Sequence, residues 1–369
     1  MKIIADAHIP FLKGVGEQYG EITYLNGNEF TRETIQDADT LIVRTVTHFG
    51  EEMLEGSKVK LICSATIGFD HIDTAYCQAK GIRWANAPGC NSGSVQQYIS
   101  SALIEISRIK SFSLEGKTIG IIGVGNVGKK VAKIARLLGM KVLLNDPPRQ
   151  RAESGNEFTD LDTIKREADI ITFHTPLTKA GQDKTHHLAD EEFFATLGKK
   201  PIIINTARGP IVETVAIKNA IRQGKISGAI IDCWENEPNI DLEYMKMVDI
   251  ATPHIAGYSA DGKANATRMS LETLAEFYGL DKTPILKINI PEPESPTIDL
   301  NSFPADKRIY HALLHTYSTQ ADNDRLKANP QNFTYFRERY PLRRENIAYN
   351  VINYLPQEKE ILQDWGFRL

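Results

Sequence analysis

The chain has 369 residues, 43 Lys and Arg against 47 Asp and Glu, a formal net charge of −4 and 41% hydrophobic residues. That length suits two or three domains with substantial cores, and the near-balanced charge provides no basic field for a nucleic acid or a membrane surface. Cys63, Cys77, Cys90 and Cys233 form no C-x-x-C pair, so no metal site and no disulfide framework is expected, and a reducing cytoplasm is the simplest location. No apolar run approaches the ~18 residues of a membrane span, and the first residues read as a strand rather than a signal peptide.

Residues 1–90 alternate strand-like runs (Met1-Lys-Ile-Ile, Thr40-Leu-Ile-Val-Arg44, Lys60-Leu-Ile-Cys-Ser, Ile82-Arg-Trp-Ala) with helical ones. Such βα alternation predicts a small parallel sheet, whose carboxyl edge is where ligands bind. Two loops at that edge, Arg44-Thr45 and Ala65-Thr66-Ile-Gly68, are candidate substrate contacts. Asn86-Ala-Pro-Gly-Cys-Asn-Ser92 then turns the chain into one amphipathic helix over 93–110, marked by Val95, Ile99, Leu103, Ile106 and Ile109.

That helix leads to Lys117-Thr-Ile-Gly-Ile-Ile-Gly-Val-Gly-Asn-Val-Gly, where a short apolar strand feeds into G-x-G-x-x-G at Gly123, Gly125 and Gly128. The first glycine permits the turn, the second lets a pyrophosphate approach the backbone, and the third lets the next helix pack on the sheet. Asn126 and Val127 open that helix and offer its free N–H groups to the phosphates. A second strand, Met140-Lys-Val-Leu-Leu-Asn-Asp146, ends in an acid about 20 residues on, where a ribose-binding carboxylate is expected. Arg149 and Arg151 follow closely, but the carboxylate stands at the strand end itself, which favours NAD over NADP.

Four further apolar runs end in polar residues: Thr175-Pro176, Asn205 to Gly209, Asp232 with Glu237, and His254. Short, unalternated strands imply a sheet buried on both faces, and their ends should converge on the crevice that holds the cofactor. Arg208, Glu237 and His254 together suit acid–base chemistry on a charged substrate. A guanidinium clamps a carboxylate, a histidine exchanges a proton at an alcohol oxygen, and a carboxylate fixes that histidine's tautomer. Residues 255–280 read as another amphipathic helix, Pro284 to Pro296 as a connector, and 297–369 as a tail with aromatic helices and a basic cluster at Arg337, Arg339, Arg343 and Arg344.

The blocks Asn205-Thr-Ala-Arg208-Gly-Pro-Ile-Val, Gly228-Ala-Ile-Ile-Asp232-Cys-Trp-Glu-Asn-Glu237-Pro and Thr252-Pro-His254-Ile-Ala-Gly257 resemble, in order, the signatures of the D-isomer-specific 2-hydroxyacid dehydrogenases. The resemblance spans roughly 40–280. Asp146-Pro-Pro, His254-Ile-Ala-Gly-Tyr258-Ser and the extension after a proline-rich joint are similar to a branch that oxidises a phosphorylated 2-hydroxy acid on the way to pyridoxal 5′-phosphate. It implies Arg208, Glu237 and His254 as catalytic residues. It implies Thr45, Thr66 and Tyr258 at the substrate, and Asp146, Thr175, Thr206, Ala207, Arg208, Asp232 and Gly257 at NAD. Val95-Gln96-Gln97 departs from the family, standing where many relatives carry an acid.

The expected fold is α/β: two doubly wound Rossmann-like domains with parallel sheets, plus a small C-terminal α+β dimerisation domain. Residues 1–92, completed by 257–285, would bind substrate, 93–256 would bind NAD, and 286–369 would pair two chains into a homodimer. Arg44 is the nearest cation for the substrate's phosphate in the first domain. A dehydrogenase for another D-2-hydroxy acid and an NAD(H)-sensing corepressor are the rival readings.

Overall fold

The structure, a computed structural model, describes residues 1–153, 157–305 and 307–369. It divides into two compact units, one formed by 1–91 with 259–292, the other by 92–258 with 293–369.

The first unit is built on β1 (Lys2–Asp6), β2 (Glu21–Leu25), β3 (Thr40–Val43), β4 (Leu61–Ser64) and β5 (Arg83–Ala85), all parallel in the order β2-β1-β3-β4-β5. β3 and β4 are buried along their whole length because both faces are covered. Phe30, Ile35, Phe49 and Leu54 pack on one side. Leu12 and the helix Ala260–Tyr278, through Leu271 and Leu274, pack on the other. That helix starts where the Ser259 hydroxyl accepts the Gly262 N–H at 2.8 Å and stops at Gly279, whose φ of 65° is left-handed. Each fully buried leucine on it contributes about 1.5–3 kcal/mol, so this return segment is integral to the first unit. The strand β2 is not expected from sequence. It is an edge strand of mixed polarity, Glu-Ile-Thr-Tyr-Leu, none of it fully buried.

The second unit holds β6 (Thr118–Ile122), β7 (Lys141–Asn145), β8 (Ile170–Phe173), β9 (Ile202–Asn205), β10 (Gly228–Ile231) and β11 (Ile250–Ala251), parallel in the order β11-β10-β9-β8-β6-β7. From β6 the chain first moves outward to β7, then returns to β8 on the other side. The strand order therefore reverses between β6 and β8, and an open α/β sheet binds its ligand at such a point. The helix Ser92–Ile109 lies against this sheet, with Tyr98, Ala102, Leu103 and Ile106 fully buried.

Residues 293–369 belong to this same unit. The strands β12 (Thr297–Asp299) and β13 (Asn350–Ile352) pair in parallel. Leu300, Leu313, Val351 and Trp365 join one core with Leu103, Val131 and Ile134. Gln97, buried in the helix Ser92–Ile109, donates its amide to the Thr316 hydroxyl at 3.0 Å and the Arg344 carbonyl at 2.9 Å, which gives the family departure at this position a structural task. The tail also covers the sheet edge, where the Asn323 side-chain oxygen accepts the Ala251 N–H of β11 at 2.9 Å. Among the described residues no helix is long and apolar enough to cross a membrane.

Candidate active site

Every strand of the six-stranded sheet ends at one edge, and each end carries a residue expected at the site. Gly123 follows β6, Asp146 follows β7, Thr175 lies just past β8, Arg208 past β9, Asp232 and Glu237 past β10, and His254 past β11.

At the reversal point Gly123 has φ 89°, and a β-carbon there would come within 2.7 Å of the His174 and Thr175 backbone. A β-carbon on Gly128 would run into the Gly123 carbonyl, whereas one on Gly125 would meet open space. Asp146 braces this loop: its carboxylate accepts the Val124 N–H at 2.8 Å and the Arg149 N–H at 3.1 Å, capping the helix Pro147–Ala152. The Thr175 hydroxyl is buried and makes no hydrogen bond, and the Thr206 hydroxyl lies 3.4 Å from His174 Nδ1.

The loop after β9 is held by Asn205, whose side chain accepts the Ala207 N–H at 3.1 Å and donates to the Arg208 carbonyl at 3.0 Å. Arg208 itself is exposed, with Nη1 donating to the Ala207 carbonyl at 2.8 Å. Gly209 presses against the next loop so closely that a β-carbon would collide with the Trp234 carbonyl. The arginine loop and the Glu237 loop are thus locked together by a glycine.

His254 sits in left-handed backbone, φ 56°, on a turn wrapped around Asp232. The Asp232 carbonyl accepts the His254 N–H at 2.8 Å. Its carboxylate accepts Thr252 Oγ1 at 2.6 Å and the N–H groups of Ile255 and Ala256 at 2.8 and 2.9 Å. Burial pushes this carboxyl up, against the opposing pull of His254 and these donors. The turn aims His254 at Glu237: Nδ1 donates to Glu237 Oε2 at 2.7 Å, while Oε1 accepts the Trp234 N–H at 2.8 Å. A carboxylate can only accept, so the ring proton faces Glu237 and Nε2 is left as the basic nitrogen. Burial works to raise the Glu237 carboxyl, but His254, the Trp234 N–H and the Arg337 guanidinium hold it below the usual carboxylate range.

Cys233 Sγ lies within 4.8 Å of ligand atoms of Glu237 and His254. Burial and the neighbouring Asp232 and Glu237 push its thiol well up, so it is a poor metal ligand, and His254 Nδ1 is already committed to the carboxylate.

In the first unit, Arg44 Nε lies 3.0 Å from the buried Asp6 carboxylate, which offsets much of its charge. Thr45 is exposed, and the Thr66 hydroxyl is engaged by Ser64 at 2.7 Å and by the Gly68 carbonyl at 3.0 Å.

Residues 94–256 match the NAD binding domain of the D-isomer specific 2-hydroxyacid dehydrogenases. The chain is 54% identical over 353 residues to erythronate-4-phosphate dehydrogenase of Bacteroides thetaiotaomicron, covering 95% of this chain and 99% of that one. It is 44% identical to the erythronate-4-phosphate dehydrogenase of Porphyromonas gingivalis over the full length of both. The chain belongs to the D-isomer-specific 2-hydroxyacid dehydrogenase family. A solved 3-phosphoglycerate dehydrogenase of Entamoeba histolytica with NAD+ bound superimposes with a TM-score of 0.63 at 26% identity, covering 79% of this chain and 99% of its own. This dehydrogenase therefore carries more chain than that structure needs for the shared fold.

The described residues suit the family's cofactor. The orphaned Thr175 hydroxyl lies beside the glycine loop, and the space in front of Gly125 is open. Both arginines that could receive a 2′-phosphate are paired with acids, Arg149 with Glu153 and Glu157, Arg151 with Asp183. Two tail residues enter the site region of this dehydrogenase in ways the sequence left open. Arg343 is buried, donating to the Ala256 carbonyl at 2.7 Å and lying over the Tyr317 ring at 4.3 Å, so it braces the turn after His254 from behind. Arg337 stands beside Glu237 and Tyr258. The sequence marks both arginines only as members of a basic cluster and not by their partners, because the contacts join segments about 80 to 100 residues apart.

Proposed function

We propose that the chain is an NAD-dependent erythronate-4-phosphate dehydrogenase, oxidising 4-phospho-D-erythronate to 2-oxo-3-hydroxy-4-phosphobutanoate in the synthesis of pyridoxal 5′-phosphate. The observation that carries this reading is the 2.7 Å bond from His254 Nδ1 to Glu237, made on the same sheet edge as Arg208 and the glycine loop. The full-length likeness to relatives of that name supplies the substrate.

In this reading Arg208 takes the substrate carboxylate in two parallel hydrogen bonds, which fixes the orientation of C2. His254 Nε2 accepts the proton of the C2 hydroxyl as the carbonyl forms, and Glu237 stabilises the resulting imidazolium. NAD, held by Gly123, Gly125, Asn126, Val127, Gly128, Asp146, Thr175, Thr206, Ala207, Asp232 and Gly257, would supply the hydride acceptor. Asp232 contributes chiefly by shaping the turn that carries His254. Thr45 and Thr66 of the first unit and Tyr258 of the second are read as substrate-binding residues, with Arg44 as the cation offered to the phosphate.

The decisive assay compares 4-phospho-D-erythronate with erythronate, 3-phosphoglycerate and D-lactate, with NAD as acceptor. The expected preference in kcat/KM for the first is about 10²-fold or more. Equal rates, or turnover of another acid alone, would redirect the assignment, and no turnover with any acid would favour an NAD(H)-sensing role. The chain is further read as a cytoplasmic homodimer paired through its tail. Four free buried cysteines suit a reducing compartment, and the tail exposes Leu342, Ile347 and Leu355. Sedimentation should show a dimer that Ile347→Asp weakens; an unchanged dimer would place the interface elsewhere.

A further inference from the structure

The basic cluster of the tail has no part in the reading above, yet one member reaches the acid–base pair. Arg337 lies on the short helix Phe333–Glu338. Its Nη1 is 3.6 Å from Glu237 Oε2, the same oxygen that receives His254 Nδ1, and its Nη2 donates to Tyr258 Oη at 3.4 Å. The guanidinium also lies 6.0 Å from the Phe333 ring centre, and Nε is buried without a hydrogen-bond partner. We infer that Arg337 is a positioning residue for the reaction, placing a fixed positive charge behind Glu237 and steadying Tyr258, so that the tail completes the acid–base pair. The inference rests on the acid–base reading of His254 and Glu237, not on which 2-hydroxy acid is the substrate.

The chemistry gives a reason for such a charge. A carboxylate bonded to a histidine favours the charged ring and so lowers the share of neutral ring that can act as a base. A cation sharing the carboxylate weakens that preference in two ways: it draws on the same oxygen, and it repels the imidazolium directly. Both distances exceed the 2.7–2.9 Å typical of charge-assisted bonds, so Arg337 tempers Glu237 without displacing His254 from it. The other charged and titratable groups around the pair, among the described residues of this unit, are Asp232 beneath the turn, Cys233, Arg208 past β9, and Tyr258 and Arg343 from the side of the tail. Asp232 and His254 attract one another, and Arg337 is the cation on the shared oxygen. Tyr258 is held from a second side by Tyr340, whose ring packs edge-on at 6.0 Å.

The test uses Arg337→Met, Arg337→Gln and Arg337→Lys in the full chain. Two readouts are compared with the unsubstituted protein: the acidic limb of the oxidation rate, and the proton uptake of the His254 ring by NMR, assigned with His254→Asn. In the Met and Gln variants both should move to higher pH, by on the order of one pH unit. The Lys variant, which keeps the charge, should move little. A folded Met or Gln variant with an unmoved ring titration overturns the inference. So does a folded Lys variant whose ring titration moves up by about one pH unit relative to the unsubstituted protein, which decides the matter even if the neutral variants fail to fold. Absence of turnover with 4-phosphoerythronate would sink the substrate assignment while the ring titration still judges Arg337.

Discussion

Gly209 lies against the Trp234 carbonyl with no room for a side chain between them. Gly209→Ala should therefore force the Arg208 loop away from the Glu237 loop, costing about 1–3 kcal/mol in packing. Thermal unfolding should drop by several degrees, at roughly 2–4 °C per kcal/mol for a unit of this size. Activity should fall further than stability at a temperature where the variant is folded. A variant with normal kcat/KM would mean that the two loops need not touch.

Arg208→Lys should reduce kcat/KM by about 10²–10³, because an ammonium cannot reproduce the planar fork that holds a carboxylate in register. Steady-state kinetics on the phosphorylated substrate measures this. A near-normal lysine variant would remove Arg208 from the site.

The pH behaviour follows from Glu237. Oxidation needs neutral His254, so its rate should fall as pH drops. Glu237→Gln removes the charge that favours the imidazolium, and the acidic limb should then shift to lower pH, the opposite direction to the Arg337 variants. Because the folded Glu237 carboxyl sits below its unfolded value of about 4.3, its contribution to stability is complete above that pH and is lost as pH falls through the folded value. Urea midpoints of the parent and Glu237→Gln should accordingly converge in acid. An acidic limb that stays in place in Glu237→Gln would uncouple Glu237 from His254.

Asp146→Ala should weaken NAD and narrow its advantage over NADP, since the carboxylate caps the next helix and, as a ribose-binding acid, would repel a 2′-phosphate. Binding of each dinucleotide by calorimetry gives both quantities. Equal affinity of the unsubstituted protein for the two would defeat the argument.

Much of this was legible in the residues. The six strand ends of the second sheet could be read because a buried parallel strand is a short apolar run that gives way, at its end or within a few residues, to glycine or polar side chains. The glycine spacing located the phosphate-binding turn, which the strand order then puts at the reversal point, and the pairing of His254 with Glu237 followed from what proton transfer requires. β2 was missed because Glu21-Ile-Thr-Tyr-Leu is only half-buried at a sheet edge and carries no strong period. The roles of Gln97, Asn323, Arg337 and Arg343 were hidden for another reason. Each bonds a partner about 70 to 250 positions away, and local pattern carries no record of such contacts.

The position of Trp365 and Phe367 in the core beside Leu103, Val131 and Ile134 has a consequence for synthesis. Domains emerging from a ribosome usually fold in order, the first while the next is still being made. Here the core of the nucleotide-binding unit waits for Trp365 and Phe367, more than 200 positions after Val131 and Ile134, to leave the exit tunnel. Chains terminated before Trp365 should present uncovered apolar surface to proteases and chaperones, so the dinucleotide site is protected only once that segment has been made and docked.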